Sequence, residues 1–285
     1  MAKWTAADLP DMSGRTVIVT GASSGIGLVT ARELARVGAR VVLAVRDVAK
    51  GEAVLAGIAG RAEVRRLDVS SLGSVRAFAR DWTGDVDVLV NNAGVMAVPL
   101  SQTADGLELQ TATNYLGPFA LTNLLLPRIT DRVVHVASQL HRVGHVWPDD
   151  LNWEQRPYKP MDAYSDSKLD LILFSLELQR RLTDSGSAVR SIVAHPGIAT
   201  TNLASHSVSR RINTFRFLLN DPDRGALPTL FAVTQNLPGN SYVGPDGPGG
   251  IRGYPKIGKS SRAARDSESA GKLWDAAARL TGVAV

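Results

Sequence analysis

Cysteine is absent from the 285 residues. That absence excludes disulfides, thiolate metal sites and thiol nucleophiles, and it agrees with a reducing compartment. The five histidines are scattered without the spacing of metal ligands, so no metal is expected. No apolar run approaches the roughly 18 residues that a membrane-spanning helix needs, and the opening MAKWTAADLPDM lacks the basic-then-apolar layout of a signal peptide. A cytoplasmic chain without a membrane anchor is therefore expected. Charge of one sign is also in short supply: 32 Lys and Arg face 27 Asp and Glu, a net +5. The densest basic stretch, Arg210, Arg211 and Arg216, carries no zinc spacing and no recognition-helix signature, so a solvated surface is the expected reading and no nucleic-acid partner is assigned.

What the chain does have is alternation. Apolar, β-branched runs at 15–20, 39–45, 62–69, 86–90, 131–137 and 188–194 are separated by segments with apolar residues at helical spacing. Strand, helix, strand repeated without a linker predicts one α/β domain over 1–285. Its core is a doubly wound parallel sheet of Rossmann type, with ligands at the carboxyl ends of the strands. Residues 1–14 form an N-terminal extension. The Gly- and Pro-rich stretch 238–259 reads as an ordered loop before a final helix over 266–281, and no internal repeat is present.

TGASSGIG, Thr20 to Gly27, follows the first strand and opens the first helix, the context a glycine-rich nucleotide loop requires. Gly21 permits the tight turn, Gly25 admits a pyrophosphate to the backbone, and Gly27 lets helix and strand approach. Ser23, Ser24 and Ile26 complete a helix N-terminus whose free N–H groups suit phosphate. A βα turn that merely needs glycine is the bland alternative. At the end of the second strand, where a carboxylate would accept from the ribose of NAD, the chain reads Ala44, Val45, Arg46, Asp47. The Arg46 guanidinium suits a 2′-phosphate, which points to NADP. Asp47 keeps NAD open, should the strand end one residue later.

Tyr164 and Lys168 stand four apart, on one face of a helix. By itself that is an ordinary surface pair. Ser138, however, ends the 131–137 strand at the same carboxyl edge as the nucleotide loop. Hydride transfer to a carbonyl builds negative charge on oxygen, which must be stabilised and then protonated. Ser138 can donate to that oxygen and Tyr164 can deliver the proton. Lys168 can favour the phenolate and hold ribose hydroxyls.

Taken in order, TGASSGIG, Asp68-Val69, NNAG at 91–94, Asn114, Ser138, Tyr164-x-x-x-Lys168 and Pro196-Gly197 resemble the short-chain dehydrogenase/reductase family over nearly the whole chain. Segments such as RDVAKGE, NNAGVM and AHPGIATTNL resemble its retinol dehydrogenase and WW-domain oxidoreductase branch. The resemblance implies an NADP-dependent oxidoreductase acting on a carbonyl or alcohol of a moderately apolar small molecule. It further implies that Asn114 interrupts its helix and completes a proton path, whereas the residue read alone is a solvent-facing helix position. Asp68 and Val69 would flank adenine; Asn92, Ala93 and Gly94 would line the cofactor; and Pro196, Gly197, Ile198, Thr200 and Thr201 would meet nicotinamide and phosphates. The stretch 198–221 would form a helical lid over substrate. Homo-oligomers paired through two long helices are common in the family, and one sequence leaves that open.

The chain also departs from many family members. Ser138 and Tyr164 are 26 positions apart (164 − 138), which makes 139–163 an insertion-like loop over the site. Trp147 and Trp153 are expected to anchor it, and His141 and His145 are expected at the surface. The apolar N-terminal anchor of membrane-bound branch members is lacking. With cysteine absent, the Cys-dependent chemistry of light-driven pigment reductases is excluded. After Lys168 only 117 residues remain (285 − 168), too few for the substrate domain of a sugar-nucleotide epimerase. A protein that binds NADP without turnover, as sensor or scaffold, is the alternative from another class.

Overall fold

The computed structural model describes residues 3–197 and 221–283. Ile198, Thr200, Thr201, Arg210, Arg211, Arg216 and all of the expected lid but Asp221 lie outside the described residues.

β1 (Thr16–Thr20) is apolar throughout its interior, and Val17, Ile18 and Val19 are each fully buried. Such a strand, hidden on both faces, belongs in a parallel sheet covered by helices on each side. The chain builds one: β2 (Arg40–Val45), β3 (Arg61–Arg66), β4 (Val86–Asn91), β5 (Ile129–Val136), β6 (Arg190–Ala194), β7 (Tyr242–Pro245) and β8 (Pro255–Gly258) join β1 in the order β3-β2-β1-β4-β5-β6-β7-β8. All neighbouring pairs are parallel except β7 with β8, which is antiparallel. These last two strands correct the expectation of a loop over 238–259.

Helices α1 (Gly25–Arg36), α2 (Val48–Leu55), α3 (Leu72–Arg80), α4 (Leu109–Thr111), α5 (Gly117–Leu125), α6 (Pro160–Asp184), α7 (Pro222–Thr234) and α8 (Ser267–Thr281) complete the domain. Side chains alternate across each strand. Ile18, Val42 and Leu89 point to a core shared with α3, α5, α6 and α8; Val17, Val41 and Val88 point to a second core shared with α1 and α7. The N-terminal extension is packed rather than free, with Trp4 edge-on to Phe231 at 5.2 Å.

α8 seals the first core. Trp274 is buried against Phe119 (5.0 Å) and Phe174 (5.6 Å), the Arg181 guanidinium lies 4.3 Å from its ring centroid, and the Tyr115 hydroxyl donates to the Leu273 carbonyl at 2.9 Å. Because β1 lies between β2 and β4, the chain reverses direction across the sheet there. The crevice outside the carboxyl ends of β1 and β4 is the place such a fold offers a ligand.

Candidate active site

The crevice floor is made of glycines that nothing larger could replace. Gly21 has φ +66°, and a Cβ on it would sit 2.9 Å from Ala93 Cα. A Cβ on Gly27 would lie 2.4 Å from Asn92 Nδ2 and 2.6 Å from the Gly21 carbonyl oxygen. Thr20 latches the two strand ends together: its Oγ1 accepts from the N–H groups of Asn92 and Ala93, both at 2.9 Å, and Asn92 Nδ2 donates to the Thr20 carbonyl at 2.8 Å. Gly25 has φ +57° and begins α1, while Ser24 stands at the N-cap without a side-chain cap bond and Ser23 precedes it. Ile26 turns inward to the second core. The first N–H groups of α1 thus face the crevice mouth uncapped by their own side chains, beside a backbone cradle of the kind a pyrophosphate needs. The residues present fit a dinucleotide.

At the end of β2, Val45 is buried and Arg46 is exposed. Asp47 is the N-cap of α2 and accepts from the Lys50 N–H at 3.0 Å, so its carboxylate is engaged in holding a helix. Asp68 bonds Ser70 through both N–H (3.0 Å) and hydroxyl (2.6 Å), shaping the turn that presents buried Val69. Beyond β6, Gly197 has φ +73° and its N–H donates to His195 Nδ1 at 3.3 Å; Pro196 lies between them. His195 is itself buried, stacked on Tyr242 with ring centroids 5.0 Å apart, and burial pushes its pKa down to about 3.

The reactive set lies beside this floor. Residues 112–116 wind as a π-helical turn between α4 and α5, and that turn carries Asn114 fully buried rather than facing solvent. Its Oδ1 accepts from the Val95 N–H at 2.9 Å, and its Nδ2 donates to the Val95 carbonyl (3.0 Å) and to Ser167 Oγ (2.9 Å). Gly94 sits in the notch this creates: a Cβ there would be 3.0 Å from Asn114 Oδ1 and 3.4 Å from Lys168 Nζ. Lys168 is buried and donates to the Val136 carbonyl at 2.9 Å; burial pulls its pKa down to about 8. Tyr164 is buried in α6, close to the Ser138 side chain. Burial raises the phenol and the neighbouring Ser138 side chain lowers it part of the way back. The Lys168 ammonium lies 6.0 Å from the Tyr164 ring centroid.

The loop over the site ends where α6 begins, at Pro160. Trp153 anchors it, buried and edge-on to Tyr158 at 5.3 Å; Arg156 lies 3.7 Å from its ring centroid and 4.8 Å from that of half-exposed Trp147. Arg156 also reaches Asp150 (3.3 Å) and Asp166 (3.4 Å), fastening the loop to the helix of Tyr164. His145 is exposed, as expected, but His141 is fully buried. The buried place of His141 corrects the expectation of a surface residue; Thr20 and His195 were not expected at the site, and of the two only Thr20, a hydroxyl ending an apolar strand beside the glycine loop, carries a local signal in the sequence.

A doubly wound sheet with a glycine cradle at its switch point, Ser138 just past the end of β5, and Tyr164 and Lys168 on α6 define a Rossmann-type nucleotide-binding protein. The chain belongs to the short chain dehydrogenase family, whose model matches residues 15–211. It is an oxidoreductase of the retinol dehydrogenase-like branch. It is 41% identical to human retinol dehydrogenase 13 over 95% of this chain and 85% of that one. It is 40% identical to mouse polyprenol dehydrogenase over 96% and 86%. Among solved structures, a protein of Mycobacterium paratuberculosis described as uncharacterized is 52% identical, with a TM-score of 0.89 over 99% of this chain and 98% of that one. No helix among the described residues is long and apolar enough to cross a membrane.

Proposed function

We propose that this chain moves hydride between NADP(H) and the carbonyl or alcohol of a moderately apolar small molecule, with Tyr164 as general acid and base. The observation that carries the reading is Tyr164 and Lys168 buried together on α6, with Lys168 Nζ at the Gly94 notch and Ser138 just past the end of β5 close enough to lower the phenol. When bound, the nicotinamide cofactor supplies or accepts the hydride. Ser138 donates to the substrate oxygen as negative charge grows there, and Tyr164 passes its proton to the same oxygen. Lys168 holds a cation at the phenol and offers N–H donors to ribose. Asn114 holds Val95 and Ser167 and so fixes the wall behind Lys168.

Arg46 supports NADP over NAD. It is the charge left available at the β2 end, since Asp47 is occupied with Lys50. Two relatives are named for apolar alcohols, retinol and polyprenol, which supports an apolar substrate here. The test is the initial rate of NADPH and of NADH oxidation against aldehydes and ketones graded in size. NADPH should be preferred, and Arg46→Ala should weaken NADPH binding about 10- to 100-fold, the worth of one or two charge-assisted bonds, while leaving NADH unaffected. An NADH preference would overturn the role of Arg46.

A further inference from the structure

We propose that His141 is a positioning residue for Ser138, acting through a single fixed tautomer in which Nδ1 carries the proton. The inference deepens the proposed function and rests on the role assigned there to Ser138.

His141 Nδ1 lies 2.7 Å from the Ser138 carbonyl oxygen, and Nε2 accepts from the Ser261 N–H at 3.1 Å. A carbonyl oxygen only accepts and a backbone N–H only donates. The pair of partners therefore requires a neutral ring with hydrogen on Nδ1 and a bare Nε2. The ring is fully buried and packs on Tyr242 at 5.6 Å between centroids. Ser138 is held from two sides by this arrangement. Its carbonyl takes both the His141 ring N–H and the His141 backbone N–H (3.2 Å), while its Oγ accepts from the Leu140 N–H at 3.2 Å. With that lone pair committed, the hydroxyl hydrogen is left to the substrate oxygen or to Tyr164. The neighbouring Arg142 donates to the Lys259 carbonyl at 2.7 Å. The segment between β8 and α8 is thus the fixed post against which the Ser138 turn is braced.

The consequence differs between two near-isosteric replacements. Asparagine puts an amide N–H where Nδ1–H stands and cannot reach Ser261; glutamine reaches the Nε2 position and leaves the Ser138 carbonyl without its ring donor. His141→Asn should keep kcat within about threefold of wild type, whereas His141→Gln and His141→Ala should lower kcat by about 30-fold or more. In all three, NADPH affinity should stay within about twofold, because the cofactor cradle is built from other residues. Wild type and Ser138→Ala are measured alongside. If wild type turns over no carbonyl, or Ser138→Ala is fully active, the proposed function falls. If those controls behave and the three His141 variants rank instead by thermal stability, or Gln outperforms Asn, the positioning role is overturned. The 15N imidazole spectrum of the wild-type protein tests the tautomer independently of activity: a proton on Nε2 at neutral pH would sink the proposal whatever the rates.

Discussion

Lys168 is an amine held where its charge is costly. Burial pulls its pKa from 10.5 to about 8, so below roughly pH 7 the group is charged, and as pH rises through about 8 it becomes neutral. A bound phosphate-bearing cofactor favours the ammonium form. Binding of NADPH should therefore take up close to one proton at about pH 9 and almost none at pH 6. Calorimetry in buffers of different ionisation enthalpy reads that number directly, and Lys168→Met should abolish the uptake. Uptake that is the same at both pH values would mean the cofactor does not meet this amine. The loop histidines illustrate what a single residue reveals of its surroundings. His141 and His145 are chemically identical in the sequence, yet one is sealed beneath Tyr242 and Ser261, each about 100 or more positions away, and the other is exposed. No local pattern distinguishes them.

At the scale of elements, close approach decides which glycines are fixed. Gly117 begins α5 against β3's exit: a Cβ there would meet the Val69 carbonyl oxygen at 1.9 Å, and backbone cannot yield as a flexible side chain would. Gly117→Ala should destabilise by about 1–3 kcal/mol, as overpacking of a filled interior does. Gly271, inside α8 with nothing within 4 Å of a Cβ, is the control. Gly271→Ala should be neutral or stabilising by up to about 1 kcal/mol. Denaturant midpoints of the two variants check the pair, and equal effects would contradict the packing argument. Six strands and the final helix were legible as β-branched runs and helical spacing. β7 and β8 were not, because YVGP and PKIG carry the Gly and Pro of turns, and their extended form comes from pairing with β6 and with each other. The π-helical turn at Asn114 escaped apolar periodicity for a similar reason, since one side chain bridging to Val95 and Ser167 selects it.

Over the whole molecule, one sheet divides two cores, and β1, β2, β4, β5 and β6 each place side chains in both. A domain built this way has no internal boundary at which to melt in parts. Thermal unfolding should be a single transition, and NADPH at 100 times its Kd should raise it by about 5–10 °C, the equivalent of about 2.7 kcal/mol. Two resolved transitions would argue against a single cooperative unit. The candidate site was readable in sequence to the extent that its residues sit at strand ends, which the β-α alternation locates. The turning of Lys168 toward Val136, and the support behind Ser138, depend on contacts between distant segments and became visible only in three dimensions.

The central claim is that Tyr164 transfers the proton while the rest of the site binds. The direct measurement is the single-turnover rate of NADPH oxidation with an apolar aldehyde, for wild type and for Tyr164→Phe, with the NADPH dissociation constant of each. The account predicts a loss in rate of about 100- to 10,000-fold, the worth of a positioned general acid, at a dissociation constant unchanged within about threefold. A Phe variant that reduces the aldehyde within tenfold of wild type would contradict it.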